Sequence, residues 1–535
     1  MKNISINILI LLSLMYSQNS FCQYQNILIN SSLYPNESSI IINPININNI
    51  VIGSNIRAST NTGSGFFYSL NGGWNWNSSP LYSSVSSPCG DPVIIVDTSG
   101  YFYYITLSGS ESDSTSCLQI LKSTNNGVNW NEGYLLGNNS RALQDKPWGC
   151  VDWSNSIYRN NIYITWTEFS FYHGYYPMDS TIILFSKSTD AGQSWSQPLR
   201  ISKRKGDARD SCNTVEGAVP CIGPNGEIYV SWSGPIIRNS QYGIFFNKST
   251  DGGITWLDSE KVATFQPGGW DYIIHGIDRV NGFPITACDI SNGPYRGTIY
   301  INFSDQRNGV TDTDVWLIKS TNGGTNWSSV KRVNDDAPGK HQFLCWMTVD
   351  QSTGYIYIVF YDERNLPDYY ANFYLARSTD GGETFQNVKI SSSPLFVYGG
   401  FLGDYTSVSA VNGHIRPVWS NMTNHSIYTA IVDTFYTIGI NNNEEIIPGF
   451  FKLYQNYPNP FNPVTKISYD LPKSGFVSLK VYDMLGREVT TLVNEVKKEG
   501  SYLVDFDGSN LASGVYFFKL KSNDFVDIKK MILLK

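Results

Sequence analysis

Asp91, Asp145 with Lys146 and Trp148, Glu216, His341 with Gln342, and Asp404 with Tyr405 stand at the starts of successive strand-like runs. A second set follows the same rhythm at the ends of the next runs: Arg57, Glu168, Arg238, Asp305 with Arg307, and Asp362 with Glu363 and Arg364. Both sets have the residue types for carbohydrate chemistry. A carboxylate pair such as Asp91 with Asp145, or Asp362 with Asp404, could act as acid and base on a glycosidic bond. A separation of about 5–5.5 Å would give retention, and about 6.5–9.5 Å inversion. Several Arg beside carboxylates suit an anionic sugar, because guanidinium grips carboxylate with two parallel bonds. Trp148, Trp153, Tyr172, Tyr175 and Tyr405 could stack on sugar faces. The Asp305–Arg307 and Asp362–Arg364 pairs also read as salt bridges between neighbouring repeats.

The elements that would position these groups come from a repeat. Six segments begin at Ser69, Ser123, Ser188, Ser249, Ser320 and Ser378, and each reads Ser-x-(Asp/Asn)-x-Gly-x-x-(Trp/Phe). The Asp or Asn side chain can accept backbone N–H bonds inside a turn, and Gly supplies a positive φ. The closing aromatic is an apolar plug. Between one Ser and the next lie 54 to 71 residues, containing three or four β-like runs. Four strands per repeat, arranged radially, is a β-propeller blade, with the repeated turn between its third and fourth strands. After the last turn, Asp404–Val411, Ile415–Asn421 and Ile427–Phe435 form three more strands, and Gln25–Asn30 could return as the fourth. The expected fold is therefore all-β, with seven blades and six as the alternative. In such a fold, the starts of first strands and the ends of second strands share one mouth, so both polar sets face the same way.

The six segments resemble Asp boxes, the bacterial neuraminidase repeat, and hence sialidase-like propellers. That family's propeller has six blades, which is the source of the alternative count. The resemblance implies a retaining mechanism with a Tyr nucleophile. In chain order Tyr405 would attack, Glu216 would take its proton, and Asp91 would protonate the leaving oxygen. Arg57, Arg307 and Arg364 would hold a substrate carboxylate, with Asp145, Trp148 and Asp404 completing the substrate site. The chain departs from the family pattern: Arg57 sits in Asn55-Ile-Arg-Ala-Ser59 rather than Arg-Ile-Pro, and Arg238 follows Glu216 by 22 residues. A non-catalytic glycan- or protein-binding propeller, or a hydrolase using a carboxylate pair, are the competing readings.

Composition sets the compartment and excludes other classes. A net charge of -7 and no basic stretch argue against nucleic acid. Lys2, the apolar run Ile6–Tyr16 and Ser20–Gln23 have the layout of a signal peptide over residues 1–22, and no later run is long enough to span a bilayer. Residues 23–436 would form the propeller and 437–450 a linker. Export allows disulfides, with Cys212–Cys221 and Cys89–Cys117 as candidates and Cys150, Cys288 and Cys345 as buried thiols. No metal-ligand spacing and no Asp-x-Asp-x-Asp-Gly loop occurs, so no cofactor or metal is expected. Residues 451–535 read as a small β-sandwich. Tyr454-Gln-Asn-Tyr-Pro-Asn-Pro-Phe-Asn-Pro463, Val481-Tyr-Asp-Met-Leu-Gly-Arg487 and Gly514-Val-Tyr-Phe-Phe-Lys519 resemble the C-terminal sorting domain of the type IX secretion system. This implies the secretion machinery as a partner and a location outside the cell, released or attached to the outer-membrane surface. The expected partner of the propeller is an extracellular glycan or glycoprotein, bound by a monomer.

Overall fold

The computed structural model describes residues 24–433, apart from 59–60, 111–114, 140–141, 172–178, 210 and 278, and residues 451–535, apart from 457–458. The signal-peptide and linker expectations, and Tyr172 and Tyr175, lie outside the described residues. Every described regular element is a strand. The chain divides into two compact units, 1–436 and 437–535.

In the first unit the innermost strands are short apolar runs buried on both faces, such as Val93-Ile-Ile-Val96 and Glu216–Ile222. Such runs form only where neighbours cover both sides. Each leads an antiparallel sheet of four strands, in chain order from the axis outward. The sheet that begins at Gln342 also carries a fifth strand, Leu395–Phe396. The seventh sheet is closed by the start of the chain, where Asn26–Asn30 pairs with Ser426–Ala430, Asn26 opposite Ala430. The inner strands of sheets one to seven touch in cyclic order, and the seventh touches the first. The result is a β-propeller of seven sheets, with apolar side chains layered between neighbours: Phe67, Ile52 and Val418 between the last and first, for instance, and Tyr103, Ile164 and Trp195 between the second and third.

All six repeated turns have the same bonding. In the fourth, Ser249 Oγ donates to Asp251 and accepts from Gly253 N at 2.9 Å, while Thr255 N donates to Asp251 at 2.9 Å. Positions four and five are both left-handed, as at Gly252 (φ 68°) and Gly253 (φ 77°). The fourth position is Asn126 in the second turn and Ala191 in the third, at φ 66° and 57°.

The fourth-position carbonyl of every turn is bonded from the preceding sheet. Lys122, Lys187, Lys248 and Lys319, each just before the Ser of its own turn, donate Nζ to Ala191 O (3.0 Å), Gly252 O (2.6 Å), Gly323 O (2.7 Å) and Gly381 O (2.7 Å). Asn49 of the first sheet donates to Asn126 O at 3.0 Å. Arg416 of the turnless seventh sheet donates Nε to Gly72 O at 2.8 Å, closing the ring.

Neither Cys212 with Cys221 nor Cys89 with Cys117 forms a disulfide, which corrects that expectation. Cys221 is buried in an innermost strand, whereas Cys212 lies in the loop before it and its Sγ accepts Asp271 N at 3.2 Å. Cys117 is buried in the third strand of the second sheet, and Cys89 is exposed at the bulged start of the first.

The second unit is a small sandwich. A three-stranded sheet, Lys452–Leu453, Val464–Leu471 and Gly500–Asp507, packs on a four-stranded one, Glu488–Lys497, Gly475–Tyr482, Gly514–Ser522 and Phe525–Leu533. Period-two alternation sends Ile467, Tyr469 and Leu471, and Val477, Leu479 and Val481, into the shared core.

Candidate functional site

The starts of five inner strands carry the same irregularity. The register slips between Asn36 and Ser39, Gly90 and Val93, Asp145 and Trp148, Glu216 and Val219, and Phe343 and Trp346. Within each bulge one residue is left-handed: Glu37 (φ 50°), Asp91 (49°), Lys146 (47°), Gly217 (75°) and Leu344 (49°). A bulge re-aims a side chain out of the pleat. Here three of the five are ionisable groups, and they meet one another although they belong to three different sheets.

Lys146 is the centre of the cluster. Its Nζ lies 2.7 Å from Asp404 and 3.6 Å from both Asp91 and Asp145, with only 9% of the side chain exposed. Arg279 also pairs with Asp404, whose carbonyl accepts Asn281 Nδ2 at 2.7 Å. Glu37 accepts Asp404 N at 2.9 Å and Asn55 Nδ2, and Asn55 Oδ1 accepts Asp91 N at 3.0 Å. Burial, with Asp91 and Asp404 nearby, holds the Glu37 carboxyl well above the usual range. Burial alone would raise Asp91 too, but Lys146 and Arg279 more than reverse it and the carboxyl stays low. Burial opposes the charge on Lys146, and Asp145, Asp404 and Asp91 overcome it, holding the ammonium well above its ordinary range.

Beneath the charges lies an aromatic layer. Trp148 and Trp346 approach with centroids 4.1 Å apart, and Tyr405 meets Trp148 edge-on at 5.7 Å. The Tyr405 phenol is raised far above its ordinary value, first by burial and then by Asp91, Glu37 and Asp404. It stays neutral. Above the aromatics, Asn281 and Phe283 complete a cavity of about 40 Å³. Below them the channel continues as a second cavity of about 210 Å³, lined by inner-strand residues including Cys150, Cys221 and Cys288.

Arg279, Asn281 and Phe283 belong to a segment between the fourth and fifth sheets that contains the small hairpin Asp271–Tyr272 with Val280–Asn281. The segment is packed tightly: Trp270, Tyr272, Ile274, Ile277 and Val280 are buried, and Gly282 N donates to Trp270 O at 2.7 Å. It is a stopper built into the mouth.

Of the residues singled out in the sequence, the structure brings together Asp91, Asp145, Trp148, Asp404 and Tyr405. Glu216 lies wholly buried, accepting Thr214 Oγ1 at 3.0 Å. Arg307 grips Asp305 with Nε at 2.8 Å and Nη2 at 2.5 Å and stacks over Trp316. Arg364 grips Asp362 at 2.7 Å, pairs with Asp335 and stacks over Tyr374. The Asp305–Arg307 and Asp362–Arg364 pairs each lie within one sheet and its following loop, while Arg307 Nη2 also donates to Phe265 O of the fourth sheet at 3.3 Å and Arg364 also reaches Asp335 in the loop between the fifth and sixth sheets. Arg57 is exposed at the end of the second strand of the first sheet. Glu168 accepts Gln144 Nε2 at 3.1 Å, and Arg238 pairs with Asp207. Among the described residues, the guanidinium that joins the axial cluster is Arg279, and the further carboxyl is Glu37. Glu37 stands at a first-strand start like the others. Arg279 had one trace in the sequence, the 71-residue step from Ser249 to Ser320, the longest between turns.

With this geometry in view, residues 455–534 match the family model of the secretion system C-terminal sorting domain. The second unit is a type IX sorting domain. It marks the protein for the cell exterior, released or attached to the outer-membrane surface, and for contact with the secretion machinery. No helix among the described residues is long and apolar enough to cross a membrane. No curated protein matches the chain. Among solved structures it is similar to a Hadza microbial sialidase, at 13% identity over 70% of this chain and 74% of that one, with a TM-score of 0.42. An α-L-arabinofuranosidase of Fusarium graminearum in complex with arabinobiose aligns at 12% identity over 69% and 98%, with a TM-score of 0.44. An ulvan lyase aligns at 13% identity over 76% and 96%, with a TM-score of 0.46. No residue role is carried over from any of them.

Proposed function

We propose that the propeller is a non-catalytic glycan-binding module, acting as a monomer outside the cell after type IX export. The observation that carries this reading is the mutual pairing of the charges in the axial cluster, within which Asp404 Oδ1 and the Tyr405 hydroxyl are buried without a hydrogen-bond partner among the described residues. Lys146 is matched by three carboxylates, Asp404 by two cations, and the cavity left above Trp148, Trp346 and Tyr405 is about 40 Å³. A water needs about 10–15 Å³ by this measure, so the cavity has room for about three waters and not for a sugar ring. A group that must change its protonation during a reaction is poorly served by partners that fix its charge.

Sialidase-like hydrolysis is the second reading. It is favoured by Asp91 and Tyr405 sharing one cluster, with Asp145, Trp148 and Asp404 around them. It would use Tyr405, Glu216 and Asp91 for chemistry and Arg57, Arg307 and Arg364 for a substrate carboxylate. Against it, Tyr405 is held neutral first by burial and then by the carboxylates around it, and Arg307 and Arg364 are already clamped by Asp305 and Asp362.

The full chain, tested on a panel of aryl glycosides that includes a sialoside and on immobilised glycans, separates the two. Binding without fluorophore release supports the module. Sialoside cleavage that disappears in Tyr405→Phe establishes the hydrolase and removes the first reading.

A further inference from the structure

The stopper closes the axis but raises a different surface beside it. The sheet that starts at Gln342 is the one with an added strand: Leu395–Phe396 pairs antiparallel with Tyr370–Ala371, Phe396 opposite Tyr370. Val397 N extends the ladder to Tyr369 O at 2.9 Å. Alternation along this strand sends Leu395 and Val397 inward, at 3% and 0% exposure. Phe396 and Tyr398 are thereby turned outward, beside Tyr370 of the facing strand and Tyr369 in the turn just before it. The four rings form a continuous row. Tyr370 lies 5.4 Å from Phe396, Phe396 6.3 Å from Tyr398, and Tyr398 4.4 Å from Tyr369, with planes tilted 57–60° from one to the next.

The stopper backs the row. Gly276 O accepts Gly399 N at 2.9 Å, and His275 meets Tyr369 at 5.9 Å. Gly276 is left-handed (φ 90°), and a Cβ there would lie 2.5 Å from the Tyr398 ring and 2.7 Å from Tyr369. Only glycine lets the segment tuck under both rings. The row is thus rigid, yet Tyr370 and Tyr398 remain 39% and 47% exposed.

We propose that this aromatic row is a glycan-binding subsite for a neutral, polyhydroxylated chain. The inference rests on the glycan-binding reading above and names where that binding occurs. Two features select the ligand. The tilted rings offer separate small apolar faces instead of one broad patch, and three of the four end in a phenolic hydroxyl that can bond to sugar hydroxyls. The charge flanking the row is compensated, Lys340 pairing with Asp368 at 3.1 Å, so an uncharged ligand fits without loss. Rings already fixed in place lose little freedom on binding.

The test uses the full chain and immobilised neutral oligosaccharides of four or more units, with acidic oligosaccharides and a glycoprotein before and after deglycosylation alongside. Wild type should bind neutral chains with little salt dependence. Tyr370→Ala with Tyr398→Ala should weaken binding about tenfold or more, Tyr398→Phe should largely retain it, and the distant exposed Tyr82→Ala should not change it. Thermal melts establish that each variant is folded. Neutral-glycan binding that survives the double substitution overturns the subsite and leaves the glycan-binding reading intact. Binding to the deglycosylated protein that is lost in the double variant overturns it in favour of a protein partner. A wild type that binds no glycan overturns both.

Discussion

Lys146 and Asp404 face each other at 2.7 Å across the propeller axis, the first from the third sheet and the second from the strand-start of the seventh. The pair ties non-adjacent sheets together, and it does so where both side chains are almost wholly buried.

Removing the cation should be costly. Lys146→Met keeps most of the stem but removes the cation that Asp91, Asp145 and Asp404 share, and stranding buried carboxylates typically costs about 3–5 kcal/mol. Chemical denaturation at neutral pH should show a loss of that order. The penalty should shrink in acid, as the carboxylates protonate; a pH-independent penalty would contradict the ion-pair account.

Ala191 occupies the left-handed fourth position of the third turn, where four of the six turns have glycine. A Cβ in that conformation costs roughly 1–2 kcal/mol. Ala191→Gly should recover about 1 kcal/mol of it, the rest being offset by the greater freedom of glycine in the unfolded chain. A raised Tm of the propeller transition is the expected reading.

Glu363 gives a pH dependence of definite sign. Burial pushes its carboxyl up from about 4.5 to about 7, partly offset by Lys340. The folded state therefore binds the proton more tightly than the unfolded one, and stability falls as pH rises through that window. Glu363→Gln removes this contribution. Between pH 5 and pH 8 the Tm of wild type should drop more than that of the variant; parallel curves would refute the shift.

Arg364 separates architecture from binding. Burial holds Asp362 up to about 6 even beside Arg364, so Arg364→Ala should cost about 3 kcal/mol by leaving that carboxylate unpaired. Binding of neutral glycans, measured below the lowered Tm, should be unchanged. A selective loss of binding to acidic glycans would instead give Arg364 a ligand-facing role.

Much of this was legible before any coordinates, because it depends on local chemistry repeated in register. The Ser-x-(Asp/Asn)-x-Gly turn needs the same donors and φ angles each time, so it announces each sheet, and period then decides which strand ends share a mouth. Shared phase puts Asp91, Asp145, Asp404 and Tyr405 at one mouth and Gln25–Asn30 beside the last strands. It does not reveal which groups cross the axis. Arg279 reaches Asp404 from an insertion whose path is set by packing of Trp270, Tyr272 and Ile274, and no periodicity reports such packing. Glu216 shares the strand position of Asp91, but the left-handed residue of its bulge is Gly217 rather than Glu216, and its carboxylate is wholly buried, accepting Thr214 Oγ1 from the loop before its strand. The proposed Cys pairs failed for a related reason: nearness in sequence says little when alternate residues face opposite sides of a sheet.

The fastening of each repeated turn by the sheet before it gives the ring a polarity. Each of the first five sheets both supplies a donor forward and presents a carbonyl backward, so these units are parts with matched ends. The seventh sheet is different: it donates through Arg416 and carries no Ser-x-(Asp/Asn)-x-Gly turn, so the sixth sheet has no such carbonyl ahead of it. A chain of this kind could gain or lose whole units by duplication or deletion ahead of that terminal one while keeping every joint complementary. Circularity then depends on a single specialised closing piece, and variation in diameter would be expected to arise upstream of it.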